Sequence, residues 1–314
     1  DNLLLSIKEN NITTLLIQFN YGFYSFSKLS GLIKELKLLD INILVQLHST
    51  IDPSSDDTKR LYLLKDSLEL CDRLLVHTIK DLNRLKSIGL IDNVMLFPHG
   101  INNYEPKKKY IKYIQNLFNF KRVLKIASYG FCLPNKGYKE LINAIKIIQN
   151  QNLSVKLTIY SALYNQDYDW FYEELKELRS ELGLEKVVTI CSEYMTNEET
   201  IENLSAYDCI IYPYQSTNES SSASVRQGLA SQRPVLVTPL EIFNDVDNLV
   251  HYIPGFTAPE IAEGLYKWFT TDQRFMENNF EYRKQKQKIL DNRRFSKLSQ
   301  RLINIIHSLE INKY

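Results

Sequence analysis

The chain is poor in the features that most often announce a function. Its 314 residues carry 38 Lys and Arg against 37 Asp and Glu, a formal net charge of +1. With charge so balanced, no global field draws the protein to nucleic acid or to an acidic membrane. Cysteine is scarce: the four (Cys71, Cys132, Cys191 and Cys209) are far apart, with no C-x-x-C and no histidine at metal-ligand spacing. Those in apolar surroundings read as small core residues in a reducing compartment. No apolar run approaches the roughly 18 to 20 residues that cross a bilayer, and no signal-peptide pattern is read, so a cytoplasmic location is the expectation. No Ser-His-Asp arrangement is visible. Asp245-Val246-Asp247 matches Asp-x-Asp literally, but so short a pattern arises often by chance and this one lies in a polar turn. No metal and no cofactor are expected.

What is present is the composition of a globular protein, 44% apolar and 24% charged, in a length that suits two domains. Apolar strands alternate with amphipathic helices almost throughout. Strands are expected at 13–18, 42–46, 73–76, 94–97, 124–128, 156–160, 187–190, 209–212, 235–237 and 250–253. Helices are expected at 25–39, 58–70, 79–88, 138–149, 167–182, 198–204, 222–230 and 259–269. Val/Ile/Leu-rich strands separated by helix-length crossovers point to parallel sheets covered on both faces. Residues 98–122 break that rhythm with Pro98-His99-Gly100, Pro106 and a lysine run. The organisation expected is a first domain over 1–100, a linker over 101–122, a second domain over 123–271, and helices over 272–314 packing back across both. The first domain has four candidate strands and lacks the strand and phosphate-facing loop that normally open such a domain. With Asp1 in place of a starting Met, this reads as a piece of a longer chain that could carry further domains.

The richest stretch is Tyr212-Pro213-Tyr214, then Glu219, then 227–235. A strand runs into a Ser-rich loop, a short helix and a second strand. Helix N-termini present unpaired N–H donors and a partial positive charge, so phosphate binds there readily. A carboxylate beside those donors accepts from hydroxyls. Together they suit a negatively charged, hydroxyl-rich ligand, which is the chemistry of a nucleotide sugar.

Five segments in order make the chain resemble the retaining GT-B glycosyltransferases of family 4, the glycosyl transferases group 1. They are Leu47-His48-Ser49, then Val76-His77-Thr78 with 82–89, and Phe97-Pro98-His99-Gly100-Ile101. After these come Gly130-Phe131-Cys132-Leu133-Pro134-Asn135-Lys136-Gly137 and the segment 219–235. The resemblance covers nearly the whole chain. It implies an α/β protein of GT-B architecture, two Rossmann-like doubly wound parallel-sheet domains facing across a cleft, the first truncated. It also implies a hexosyl transfer, with retention and without metal, from a nucleoside diphosphate sugar to a glycan or lipid-linked glycan. The acceptor expected is a bacterial surface glycan such as lipopolysaccharide or capsule.

Two positions depart from the family pattern. Its Glu, seven residues, Glu becomes Glu219 and Gln227, and Gln can still donate and accept hydrogen bonds. Its Arg-x-x-x-x-Lys-Gly becomes Phe131 through Lys136-Gly137, leaving one cation for the diphosphate, with Arg226 as a candidate to compensate. These departures keep a second reading open, a catalytically inactive binding or assembly module of a glycan-building complex. An epimerase or phosphorylase on the same fold is a third.

The resemblance assigns catalytic roles to Glu219, His48 and Lys136. Donor binding falls to Gly130, Phe131, Lys136, Gly137, Tyr194, Met195, Glu219, Ser220, Ser221, Ser222, Arg226 and Gln227. Each has a plainer alternative. Glu219 reads also as a loop carboxylate, Lys136 as a solvated lysine, Gln227 as a helix residue packed under the site, and Ser220–Ser222 as a polar cap. His77 and His99 read as structural. Lys107, Lys108, Lys109 and Lys112 with Tyr110, Ile111 and Tyr113 read as a solvated linker helix, or as a surface for anionic lipid peripheral to the inner membrane.

Overall fold

The computed structural model describes residues 2–107, 123–271, 277 and 279–311. Of the basic aromatic cluster only Lys107 is among them; Lys108, Lys109, Tyr110, Ile111, Lys112 and Tyr113 lie outside the described residues. The chain divides into two compact units, Asp1–His99 with Asn218–Ser221 and Ser296–Tyr314, and Gly100–Thr217 with Ser222–Phe295.

The first unit runs α1 (Asn2–Glu9), β1 (Thr14–Phe19), α2 (Phe26–Leu38), β2 (Asn42–Leu47), α3 (Lys65–Glu69), β3 (Arg73–Val76), α4 (Ile79–Ser87) and β4 (Val94–Leu96). The strands pair in parallel in the order β1-β2-β3-β4. Successive side chains of a strand point to opposite faces, and here both faces are covered. Ile43, Val45, Leu74 and Val76 join the cluster built with Ile33 and Leu36 of α2. Leu44 and Leu75 join Leu298 and Leu309 of the C-terminal helix Phe295–Ile311 on the other face.

A single helix expected over 58–70 is instead two 3₁₀ turns, Asp57–Lys59 and Leu61–Leu64, followed by the short α3. Local side-chain bonds explain the break. Asp56 accepts from the Thr58 amide at 3.0 Å and its hydroxyl at 2.6 Å, and Asp52 accepts from the Leu61 amide at 2.9 Å. Arg60 between them is extended, at φ −85° and ψ 127°. Short polar side chains that capture nearby amides compete with the helix ladder.

The second unit runs β5 (Leu124–Phe131), α5 (Tyr138–Asn150), β6 (Val155–Ala162), α6 (Asp169–Glu181), β7 (Val188–Cys191), α7 (Asn197–Leu204), β8 (Cys209–Tyr212), α8 (Ala223–Ala230), β9 (Val235–Val237), β10 (His251–Tyr252), α9 (Ala258–Thr270) and α10 (Phe280–Asn292). Its sheet is parallel, in the order β10-β9-β8-β5-β6-β7. The chain works outward from β5 through β6 and β7, then returns to the other side of β5 as β8. Strand order therefore reverses between β5 and β8. In open α/β sheets the crevice beyond the carboxyl ends at such a reversal is where ligands bind.

Candidate functional site

At that reversal the second unit gathers a cation, a helix N-terminus and close backbone. β5 ends in Gly130 and Phe131, and the turn Pro134–Lys136 leads to Gly137 at φ +74°. Gly137 is required there twice over. Its backbone is left-handed, which L side chains rarely adopt, and a Cβ would run into the Pro213 carbonyl. The turn is tied to the loop after β8, since Gln215 N–H donates to Asn135 O at 2.9 Å and the Asn135 amide to Ser216 O at 3.0 Å. Lys136 Nζ consequently rests 3.9 Å from the centroid of the Tyr214 ring. Among the described residues no carboxylate pairs with it. A cation held on an aromatic face keeps its charge for an incoming anion.

The Tyr214 hydroxyl is 3.4 Å from Ser222 Oγ, and Ser222 caps α8 by accepting from the Val225 amide. The cation, the ring and the helix N-terminus are thus linked in one chain of contacts. Gly228 lets α8 lie close to β8, because a Cβ there would meet the Tyr212 ring and hydroxyl. On the first turn but one of α8, Gln227 donates to Asn197 Oδ1 at 2.7 Å, while its Oε1 is buried without a partner among the described residues. A buried acceptor left open is uncommon, and a ligand hydroxyl would satisfy it.

Other residues named from the sequence have partners of their own. Arg226 is 2% exposed, its guanidinium donating to the Ser222 carbonyl at 2.8 Å and pairing with Asp245. Burial pulls the guanidinium below its ordinary value, with Asp245 opposing. Buried and committed in this way, it braces the cap of α8. The same pairing, joined by Arg293 at 3.5 Å, gives Asp245 a structural occupation. Phe131, 41% exposed, stands edge-on to Tyr164 with centroids 5.2 Å apart, so the position offers an aromatic face and no charge. Tyr194 is 76% exposed, and Met195 Sδ accepts from Asn203 at 3.2 Å.

A second group of residues lies in the first unit. His48, His77 and His99 follow the carboxyl ends of β2, β3 and β4, with neighbouring ring centroids 5.2 Å and 5.3 Å apart. His77 Nδ1 faces the Phe97 carbonyl at 3.1 Å and therefore carries the proton. Its Nε2 lies 3.3 Å from His48 Nδ1. His48 Nε2 lies 2.7 Å from Gln18 Oε1, an acceptor to which Nε2–H donates. Burial lowers the affinity of His48 for a proton, and the carboxylate of Glu219 raises it by less. His48 is accordingly neutral near pH 7. No group of His, Cys, Asp and Glu among the described residues is arranged to hold a metal ion.

Glu219 itself belongs to this unit. Sequence places 218–221 within 123–271, yet the segment packs with the first unit. Ser220 N–H donates to the His48 carbonyl at 3.1 Å, the Ser220 hydroxyl to Asp81 at 2.7 Å, and the Ser49 hydroxyl to the Asn218 carbonyl. Sequence reasoning reached His48, Glu219 and Ser220–Ser222 but gave no functional part to His77, Gln18, Asp81 or Asn197. Their shared signal was position at strand ends and helix starts, which becomes meaningful only once the strand order is known.

No protein-family model matches the chain, and no curated protein sequence matches it. Solved structures do. Sucrose-phosphate synthase from Thermosynechococcus elongatus is 14% identical with a TM-score of 0.75, over 99% of this chain and 77% of that one. HepE of Anabaena, solved in complex with UDP, is 15% identical with a TM-score of 0.72, over 93% and 78%. A UDP-forming trehalose-phosphate synthase from Burkholderia vietnamiensis is 10% identical with a TM-score of 0.72, over 95% and 73%. At such identities the likeness is one of fold: the chain is an α/β protein with the GT-B fold. Among the described residues, no helix is long and apolar enough to cross a membrane.

Proposed function

We propose that this chain is a retaining, metal-independent glycosyltransferase of family 4. It takes a nucleoside diphosphate sugar and moves a hexosyl group to a hydroxyl of a bacterial surface glycan, free or lipid-linked. One observation carries the reading. At the strand-order reversal of the second unit, an ammonium held on Tyr214 stands beside the capped N-terminus of α8, with the open acceptor of Gln227 on the same helix. Those are partners for a diphosphate and for hydroxyls. HepE is solved also with UDP-glucose, which makes UDP sugars the first donors to try.

In this reading Lys136 and the amides at the start of α8 stabilise the leaving diphosphate. Glu219, three residues before the cap, orients the sugar through its hydroxyls, and neutral His48 lines the sugar beside it. Gln227 accepts from a ribose hydroxyl, and Tyr194 and Met195 meet the base through their backbone. The acceptor oxygen forms its bond to the anomeric carbon on the face the diphosphate leaves, and the departing phosphate oxygen takes the acceptor's proton. The protein supplies geometry and charge stabilisation and no nucleophile.

The test is thermal unfolding with UDP, GDP, ADP and their sugars, joined to a transfer assay. Ligand at about 100 times its Kd should stabilise the protein by roughly 2.7 kcal/mol. Lys136→Ala should abolish that shift and cost about 100- to 1000-fold in turnover. A shift with no turnover would favour the binding module, a reading that the uncharged Phe131 keeps alive. No shift with any nucleotide would overturn both.

A further inference from the structure

Asp81 makes more bonds than its helix cap requires. It is fully buried, at 0% exposure, and belongs to the capping box that opens α4. Oδ2 completes that box, accepting from the Thr78 amide at 3.0 Å and the Thr78 hydroxyl at 2.5 Å. A capping box is complete at that point and works equally well in water, as the exposed pair Thr196 and Glu199 does at the start of α7. Oδ1 is engaged elsewhere. It accepts from the Thr50 hydroxyl at 2.5 Å, the Ser220 hydroxyl at 2.7 Å and the Arg84 guanidinium at 3.3 Å.

Ser220 is the distant partner, 139 positions along the chain. Its N–H is bonded to the His48 carbonyl as well. On the other side of Glu219, the Asn218 carbonyl accepts from Ser49. Both neighbours of Glu219 are therefore fixed, while the Glu219 side chain is exposed. Hydrogen bonds to an ionised acceptor are short and strong. A buried carboxylate that loses a donor bears a desolvation penalty, so Asp81 holds Ser220 in place rather than merely tolerating it.

We propose that Asp81 is a positioning residue: through the Ser220 hydroxyl it fixes the Glu219 carboxylate beside the His48 imidazole. The functional weight of this placement rests on Glu219 being the sugar ligand; the placement itself does not. It gives the buried half of Asp81 a role outside α4. It also makes the sequence-local residues Thr78 and Asp81 part of what sets the site.

The test reads the His48 imidazole titration by NMR in the full chain, free of nucleotide. The titratable groups facing His48 are Glu219, His77 and His99, so the three histidine signals are assigned separately. Glu219→Gln should move the His48 titration down and calibrates the full effect. Ser220→Ala should move it in the same direction by a large part of that amount. Thr50→Ala removes a hydroxyl from the same Asp81 oxygen without touching the segment at Glu219, and should leave His48 where it is. The proposal is overturned if Ser220→Ala leaves His48 titrating as in the wild type, if Thr50→Ala moves it equally, or if Glu219→Gln itself moves nothing. None of these readings involves nucleotide or turnover. A wild-type chain that gives the expected titrations but no nucleotide shift would keep the positioning role and sink the transferase reading.

Discussion

Single residues decide how the turn at Lys136 is built, and two glycines separate the contributions. Gly137 at φ +74° and Gly183 at φ +65° share a left-handed backbone. A Cβ at Gly183 meets nothing within 4 Å, whereas one at Gly137 collides with the Pro213 carbonyl. Gly183→Ala is expected to lose only the backbone term, about 1–2 kcal/mol, in urea denaturation. Gly137→Ala should lose clearly more and should also lose any nucleotide-dependent stabilisation, because the Lys136 turn must move. Arg226 gives the opposite contrast with Lys136. Arg226→Ala removes the guanidinium paired with the buried Asp245, and removing one partner of a buried pair costs about 3–5 kcal/mol. Lys136→Ala, at a half-buried surface, should change unfolding free energy by less than about 0.5 kcal/mol while abolishing nucleotide binding. Equal losses of stability in the two variants would contradict this division of labour.

At the scale of elements, α10 is fastened by a buried ionic knot. Glu277 accepts from Lys286 of α10 at 2.8 Å and from His251 of β10 at 2.8 Å. Burial alone would raise the Glu277 carboxyl, but Lys286 and His251 outweigh it and hold it at about 2. A carboxylate depressed on folding stabilises the native state above its unfolded value near 4.5 and loses that contribution as pH falls through about 2. The loss should be on the order of 3 kcal/mol across that window. Unfolding free energies measured from pH 5 downward should show it, and Glu277→Gln should flatten the slope. An unchanged slope in the variant would mean that the knot is not what the acid limb reports. The residues 58–70 illustrate the reverse case, where Asp52 and Asp56 draw amides away from a helix that periodicity alone would allow.

For the whole molecule, the two units carry separate apolar cores, built around Leu29, Ile33 and Leu36 in the first and around Leu141, Ile145 and Trp268 in the second. A ligand that binds the second unit should raise that unit's unfolding transition by mass action and slow amide exchange at 134–138 and 222–226. Calorimetry with and without UDP, read beside residue-level exchange, checks this. Exchange slowed only in β1 and α2 would place the nucleotide elsewhere.

The positions of ten strands and most helices were legible in the sequence, because β-branched runs and 3.6-residue periodicity are local consequences of burial. The turn around Lys136 and Gly137 and the start of α8 were legible for the same reason: glycine, serine and lysine act through backbone conformation and charge close to where they stand. Tertiary structure alone settled what depends on partners far along the chain. It placed Arg226 on Asp245, aligned His48, His77 and His99 by setting β2, β3 and β4 side by side, and bound Ser220 to Asp81. A residue type states which bonds it can form. Which bond it does form is decided by the groups that folding brings within about 3 Å of it.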